Sequence, residues 1–211
     1  MTPAFDAAFR ARLHELFAWR RDVRRFRTDP LPDGTVERLI GEACLSPSVG
    51  LSQPWRFVLV DDHARRRAVA ANFAAANAAA LAAQDDDHAG LYAHLKLAGL
   101  AEAPVQFALF ADRGTAQGHG LGRMTMPETV EYSAVAALVT LWLAARAEGI
   151  GLGWVSILDP AAVATALDVP ADWRFVGFFC LGYPAAEDNR PELARAGWEN
   201  RRPAEAFILR R

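Results

Sequence analysis

The segment Arg20-Arg21-Asp22-Val23-Arg24-Arg25-Phe26 places four arginines around one acid. On a helix, Arg20 and Arg24 share a face and Arg21 lies beside it. Each planar guanidinium can give two parallel, charge-assisted hydrogen bonds, the pattern that holds a phosphate. The plain alternative is a solvated basic helix end paired to acids, which contributes little. A second candidate is the small, polar run Ser46-Pro47-Ser48-Val49-Gly50-Leu51-Ser52-Gln53-Pro54-Trp55. Its hydroxyls, N–H groups and amide suit a polar ring edge or a polyol chain, unless it is only a connection. A third is Gly149-Ile150-Gly151-Leu152-Gly153-Trp154-Val155-Ser156. Alternating glycines let backbone approach something flat and closely held. A helix C-cap explains Gly149 but not all three.

Other arrangements point to less. Gly149–Gly153 and Gly118–Gly122 both lack the G-x-G-x-x-G order of a dinucleotide fingerprint, and no Walker motif or G-x-S-x-G elbow occurs. His14, His63, His88, His94 and His119 lack metal-ligand spacing, so no metal is expected. Cys44 and Cys180 are isolated, which fits free thiols in a reducing cytosol. The acidic run Asp85-Asp86-Asp87 reads as a solvated loop. Lys96, read as mid-helix among Leu95, Leu97 and Leu100, needs an acceptor if it is buried.

The elements that must position these groups follow from periodicity. Residues 4–19 form an amphipathic helix through Phe5, Phe9, Leu13, Leu16 and Phe17. Thr28-Asp29-Pro30 breaks the chain, and a helix follows over about 33–45. Residues 57–60 are strand-like, and the alanine-rich stretch 64–83 is helical by propensity. Residues 105–111 form a strand and 112–126 a long glycine-bearing loop, of a length that is usually functional or disordered. Pro127-Glu128 opens a long apolar helix that stops at Gly149, suited to a core or a subunit interface. A short strand at 154–157 and a helix at 160–167 precede Phe175–Leu181, an apolar run for a strand buried on both faces. The elements imply an α+β fold, or a mixed central sheet flanked by helices on both faces.

With 211 residues, 52% apolar and 23% charged, the chain can form one domain with a good core. A net charge of −2 leaves no general basic excess for nucleic acid. The near-apolar stretch 134–145 is too short to span a bilayer, and charges among the first dozen residues exclude a signal-peptide core. The expectation is a soluble cytoplasmic protein with no membrane partner.

Together the three segments resemble the nitroreductase superfamily, whose members show R-R-S-x-R-x-F, then P-S-x-x-N-x-Q-P-W, then G-x-G-x-x-W beyond a long core helix. The resemblance covers nearly the whole chain. It implies an FMN-binding α+β homodimer with the flavin at the subunit interface and the long helix in the dimer core. Residues 1–211 would form one domain whose tail, from about 185, wraps the partner. It implies that Arg20, Arg21, Arg24 and Arg201 contact phosphate and ribityl groups. Ser48, Leu51 and Gln53 would approach the ring and ribityl, Lys96 the pyrimidine edge, and Leu152 and Gly153 the flavin.

Asp22 stands where the family usually has Ser, and Leu51 where Asn is common. With Gly118–Arg123 and Thr125–Glu128 as a lid, 142–149 and 153–156, these departures resemble one branch of the superfamily. That branch uses molecular oxygen to fragment reduced FMN into 5,6-dimethylbenzimidazole, the lower ligand of vitamin B12, releasing erythrose 4-phosphate. The resemblance makes Asp22 and Ser156 its catalytic residues and a separate flavin reductase the source of reduced FMN. A carboxylate can act as base where a Ser cannot, and Ser156 could hydrogen-bond an opened intermediate. A lid would keep oxygen in and other substrates out. Asp22 could instead pair with Arg21 or Arg25. The alternatives are an NAD(P)H-dependent nitroreductase or flavin reductase on the same scaffold, or an FMN-storage or flavin-sensing module.

Overall fold

The computed structural model describes residues 4–211, apart from the side chains of residues 86 and 87. Its centre is a sheet of β1 (Trp55–Leu59), β2 (Val105–Asp112), β3 (Gly151–Val155) and β4 (Trp173–Gly182) in the order β1-β2-β4-β3. All three pairings are antiparallel. A parallel bridge from Asp22 to Leu152 adds the 20–26 segment along the outer edge of β3. The sheet is therefore mixed only there.

Alternation along the strands gives each face its own core. Phe107, Leu109, Leu152, Phe179 and Leu181 point to one side, where they meet Leu39 and Ala43 of α2 (Thr35–Ala43) and the buried stripe of α5 (Thr129–Ala147). Ala108, Phe110, Val155, Phe178 and Cys180 point to the other, toward Val69 of α3 (His63–Ala82) and Val163 and Leu167 of α6 (Pro160–Leu167). The run expected to be buried on both faces is β4, an inner strand. The fold is α+β with helices on both faces, as the element order implied.

Helix α5 buries Val130, Ala134, Ala137, Leu138, Leu141, Trp142 and Ala145 at helical spacing. By length and composition alone it could cross a membrane. Helix α1 (Ala7–Trp19) buries none of its residues and leaves Phe5, Phe9, Phe17 and Trp19 exposed beside or along it.

The structure corrects several local expectations. The acidic run opens a helix, α4 (Asp86–His94), because the Asp85 carboxylate accepts from the His88 N–H at 2.9 Å as an N-cap. Lys96 lies outside any helix, two residues past α4, and its ammonium meets Glu102 at 2.7 Å. The third strand begins at Gly151, so Ser156 falls just beyond its end rather than within it. Residues 20–26 are extended, not helical. Beyond β4 only α7 (Glu192–Arg195) and a short turn at Ala204–Phe207 are regular, and Phe207, Ile208 and Leu209 are exposed.

Candidate functional site

The extended backbone of the 20–26 arm changes which side chains act together. In a strand-like segment alternate residues share a side, so Asp22 and Arg24 are neighbours. Arg24 donates Nη2 and Nε to one carboxylate oxygen of Asp22, at 3.0 and 3.2 Å. The other oxygen accepts the Trp154 N–H of β3 at 2.8 Å. Asp22 thus pairs with Arg24, not with Arg21 or Arg25. Arg25 joins Glu192 instead, and Arg21 hydrogen-bonds the Ala18 carbonyl.

Two of the glycines in the third motif exist for this arm. A Cβ on Gly153 would lie 2.0 Å from the Val23 carbonyl oxygen, and one on Gly151 would lie 2.7 Å from the Val23 side chain. The alternating glycines therefore admit the chain's own backbone, which the sequence reading assigned to a flat ligand. Gly149 is the left-handed residue past α5, with φ 73°. On the far side of β3, Gly177 makes room for the Trp154 indole, whose Nε1 is buried without a partner.

Arg20 and Arg21 lie within reach of Arg201, while Arg24, expected on the same face as Arg20, turns to Asp22. Arg20 stacks on Trp142, its guanidinium carbon 4.8 Å from the ring centre, and the Trp142 Nε1–H donates to the Arg21 carbonyl at 3.1 Å. Burial, then repulsion from Arg201, lowers the proton affinity of Arg20. Arg21 is lowered by burial and by Arg20 and Arg201. Tail residue Arg201 is thus brought to the arm. The Nε of Arg21 is buried and unpaired. The three guanidinium groups repel one another, offset only in part by Asp22 and Asp188, and a phosphate fits such a cluster.

Asp22 is the other perturbed group. Burial raises its pKa above the ordinary 3.8, against the Trp154 N–H, Arg24 and Arg20, which favour the carboxylate. A third of its side chain stays accessible. A partly accessible carboxyl whose proton affinity is raised by burial can take and return a proton. Ser156, two residues past Trp154, is exposed, and no hydrogen bond joins its hydroxyl to Asp22 among the described residues.

The serine-rich loop lies elsewhere on the same long helix. Val49 N–H donates to Ser133 at 3.0 Å, and the Ser46 and Thr140 hydroxyls are 2.6 Å apart. Ser48 accepts the Gln53 N–H at 3.1 Å. Leu51 and Gln53 both adopt positive φ, 54° and 43°, and Leu51 is exposed. The lid expected at 118–128 sits over this loop. Gln117 donates to the Leu51 carbonyl at 2.8 Å and to the Gln53 amide oxygen at 3.3 Å. A Cβ on Gly118 would lie 2.6 Å from the Gly50 carbonyl oxygen.

The predicted residues therefore fall into two groups. Arg20, Arg21, Asp22, Arg24, Leu152, Gly153 and Arg201 meet at the edge of β3, and Lys96 reaches them through its carbonyl, which accepts from Arg24 at 3.2 Å. Ser48, Leu51 and Gln53 cluster with the lid. Ser133, which anchors Val49 of the loop, and Trp142, which anchors the arm, are separated by about 14 Å of helix, with Ser46 of the loop tied to Thr140 between them. The contacts of Trp142, Trp154, Glu102 and Gln117 were not legible in the sequence, because they join segments distant along the chain. No group of three or more His, Cys, Asp or Glu that could hold a metal occurs among the described residues.

The Nitroreductase family model matches residues 17–183. The chain is 59% identical to 5,6-dimethylbenzimidazole synthase of Rhodospirillum rubrum, over 95% of each chain. It is 49% identical to the protein of that name from Rhodobacter capsulatus, over 95% of this chain and 97% of the relative. Among solved structures, oxidized iodotyrosine deiodinase bound to FMN and 3-iodo-L-tyrosine superposes with a TM-score of 0.69 at 22% identity, covering 83% of this chain and 91% of that one. That last likeness concerns the fold.

Proposed function

The chain belongs to the nitroreductase family, and from that premise we propose that it breaks up reduced FMN with molecular oxygen, giving 5,6-dimethylbenzimidazole and erythrose 4-phosphate. The observation that carries this reading is Asp22, a carboxylate of raised proton affinity held at the arm where the family usually has a serine. The names of the relatives at 59% and 49% identity support it.

FMN, when bound and reduced, supplies the electrons that activate oxygen and is itself the molecule consumed. Arg20, Arg21 and Arg201 would hold its phosphate. The ring and ribityl fall to Ser48, Leu51, Gln53, Leu152, Gly153 and the Lys96 ammonium. Gly153 is already close against Val23, so its share is backbone only. Asp22 acts as the base, its carboxylate oriented by the Trp154 N–H and Arg24 so that a free lone pair can receive a proton. Ser156 donates a hydrogen bond to a reacting oxygen, which its exposed position at the end of β3 permits. The lid excludes water and outside electron acceptors.

The separation of the two groups along α5 favours a homodimer, in which the serine loop of one copy faces the arm of the other. Exposed apolar side chains on α1, on α5 (Tyr132 and Val139) and on the tail give such a pair surface to bury. A separate flavin reductase would supply reduced FMN, and the reaction would take place in the cytoplasm.

The deciding experiment mixes the purified protein with chemically reduced FMN in air and analyses the products by mass spectrometry. Dimethylbenzimidazole should form with wild type and fall at least about a hundredfold with Asp22→Asn; Ser156→Ala should also reduce it. Recovery of all the FMN intact would overturn the reading and turn attention to NAD(P)H-dependent reduction of nitroaromatics or quinones. Light scattering should give twice the 23.0 kDa chain mass.

A further inference from the structure

Residues 95–104 carry no helix or strand, yet they pack against the arm. A Cβ on Gly99 would lie 2.4 Å from the Phe26 ring and 3.4 Å from the Arg24 carbonyl oxygen. Irregular backbone at such close quarters keeps its shape only through specific bonds. Three are present. Ala103 N–H donates to the Gly99 carbonyl at 3.0 Å, Gln106 donates to the Leu100 carbonyl at 2.7 Å, and Glu102 holds the Lys96 ammonium at 2.7 Å. The third bond closes the turn that presents the Lys96 carbonyl to Arg24. Arg24, only 13% exposed, has its guanidinium divided between that carbonyl and Asp22.

We propose that Glu102 is a positioning residue of the site: by fixing Lys96 it fixes the carbonyl that holds Arg24 side-on against Asp22, and so orients the base. The inference rests on the reading of Asp22 given above. A merely local staple would leave Asp22 unaffected. A chain of contacts running Glu102, Lys96, Arg24, Asp22 makes loss at one end felt at the other. The second oxygen of Glu102 is buried without a partner, so its side chain is not held there by a richer set of bonds.

The groups facing Asp22 fix the sign of the effect. Arg20 and Arg24 of its own segment and the Trp154 N–H of β3 favour the carboxylate. Cys180 of β4 faces it as a neutral thiol, pushed up to about 12 by burial. Glu102, also near Cys180, is negative. Deleting its charge would by direct electrostatics make Asp22 easier to ionise. Loosening Arg24 does the opposite, because an opposite charge nearby favours the charged form. The two mechanisms therefore move Asp22 in opposite directions.

The test is a carbon-13 NMR titration of the aspartate carboxyls in the full-length, FMN-free protein, with Asp22 assigned through Asp22→Asn. Arg24→Ala should raise the Asp22 midpoint by about one unit or more. Glu102→Ala should raise it by about half as much, and Glu102→Asp, which keeps the charge but shortens the arm, should also raise it. Adding Glu102→Ala to Arg24→Ala should give no further rise, only the small direct lowering from the lost charge, since the two act through one chain of contacts. A midpoint unmoved or lowered in Glu102→Asp, or shifts that add in the double variant, would overturn the proposal. If Glu102→Ala fails to fold, Glu102→Asp decides alone. This readout requires no turnover, so missing dimethylbenzimidazole in the product assay strikes the reading of Asp22 as base, while an unmoved titration strikes Glu102.

Discussion

Along the 20–26 arm, charged side chains are fixed by partners within the same chain. Asp22 has both oxygens bonded, Arg24 bridges two elements, and glycines at 151 and 153 let the arm close onto β3. The 46–54 loop and its lid are held otherwise. Their contacts are backbone carbonyls, hydroxyls and neutral amides, three residues (Leu51, Gln53 and His119) sit in left-handed backbone that L side chains disfavour, and Leu51, Leu121 and Met124 face outward. The first region is preorganised around charged groups. The second is held by neutral groups and keeps more apolar surface exposed. The difference teaches that the chain fixes its charged groups at the sheet edge and leaves neutral, apolar surface on a separate loop.

The largest way to break this contrast is to push the arm off the sheet. Gly153→Ala puts a methyl group against the Val23 carbonyl. The variant should lose about 1–3 kcal/mol of stability in urea denaturation and should also bind oxidised FMN poorly. Unchanged FMN affinity would mean that the arm is not the cofactor's support. Next in size is the phosphate cluster. Arg20→Ala and Arg201→Ala should each weaken FMN binding about 10- to 100-fold in fluorescence titrations, the loss expected for one charge-assisted hydrogen bond. If Arg201→Ala binds like wild type, the tail plays no part.

A pH series sharpens the contrast further. The folded-state pKa of Asp22 lies above the ordinary 3.8, so the folded chain binds more protons than the unfolded chain between those two values. Stability therefore falls as pH rises through that window, and the loss persists above it. Asp22→Asn should abolish this falling component in denaturation curves measured from pH 3 upward, over about that range. The same raised value predicts that the rate of product formation climbs with pH as Asp22 ionises. The smallest effect belongs to the loop and its lid. Gln117→Ala removes exposed neutral hydrogen bonds and should change stability by under about 1 kcal/mol. It should, however, let reduced FMN reoxidise without yielding product, measurable as fewer product molecules per flavin consumed.

Most of the fold was legible in the chain. Helical spacing marked α1, α2, α5 and α6, and the apolar run at 175–181 identified the inner strand β4. Periodicity survives into structure wherever one face must be buried. Asp85 was the local exception: a run of acids looks like a solvated loop until the first becomes an N-cap. The arm was misread as helical because arginine is a good helix former, whereas its conformation is set by pairing with β3.

By itself, then, the sequence determined the element order, the family resemblance and the residue types that could bind a phosphate or move a proton. These depend on local pattern and composition. Only the tertiary structure decided that Asp22 pairs with Arg24, that the glycines at 151 and 153 receive the chain's own backbone, and that Lys96 is held by Glu102. It also decided that the arm and the serine loop meet one helix at different points. Such facts turn on which distant segments meet, and a linear pattern carries no direct record of those meetings.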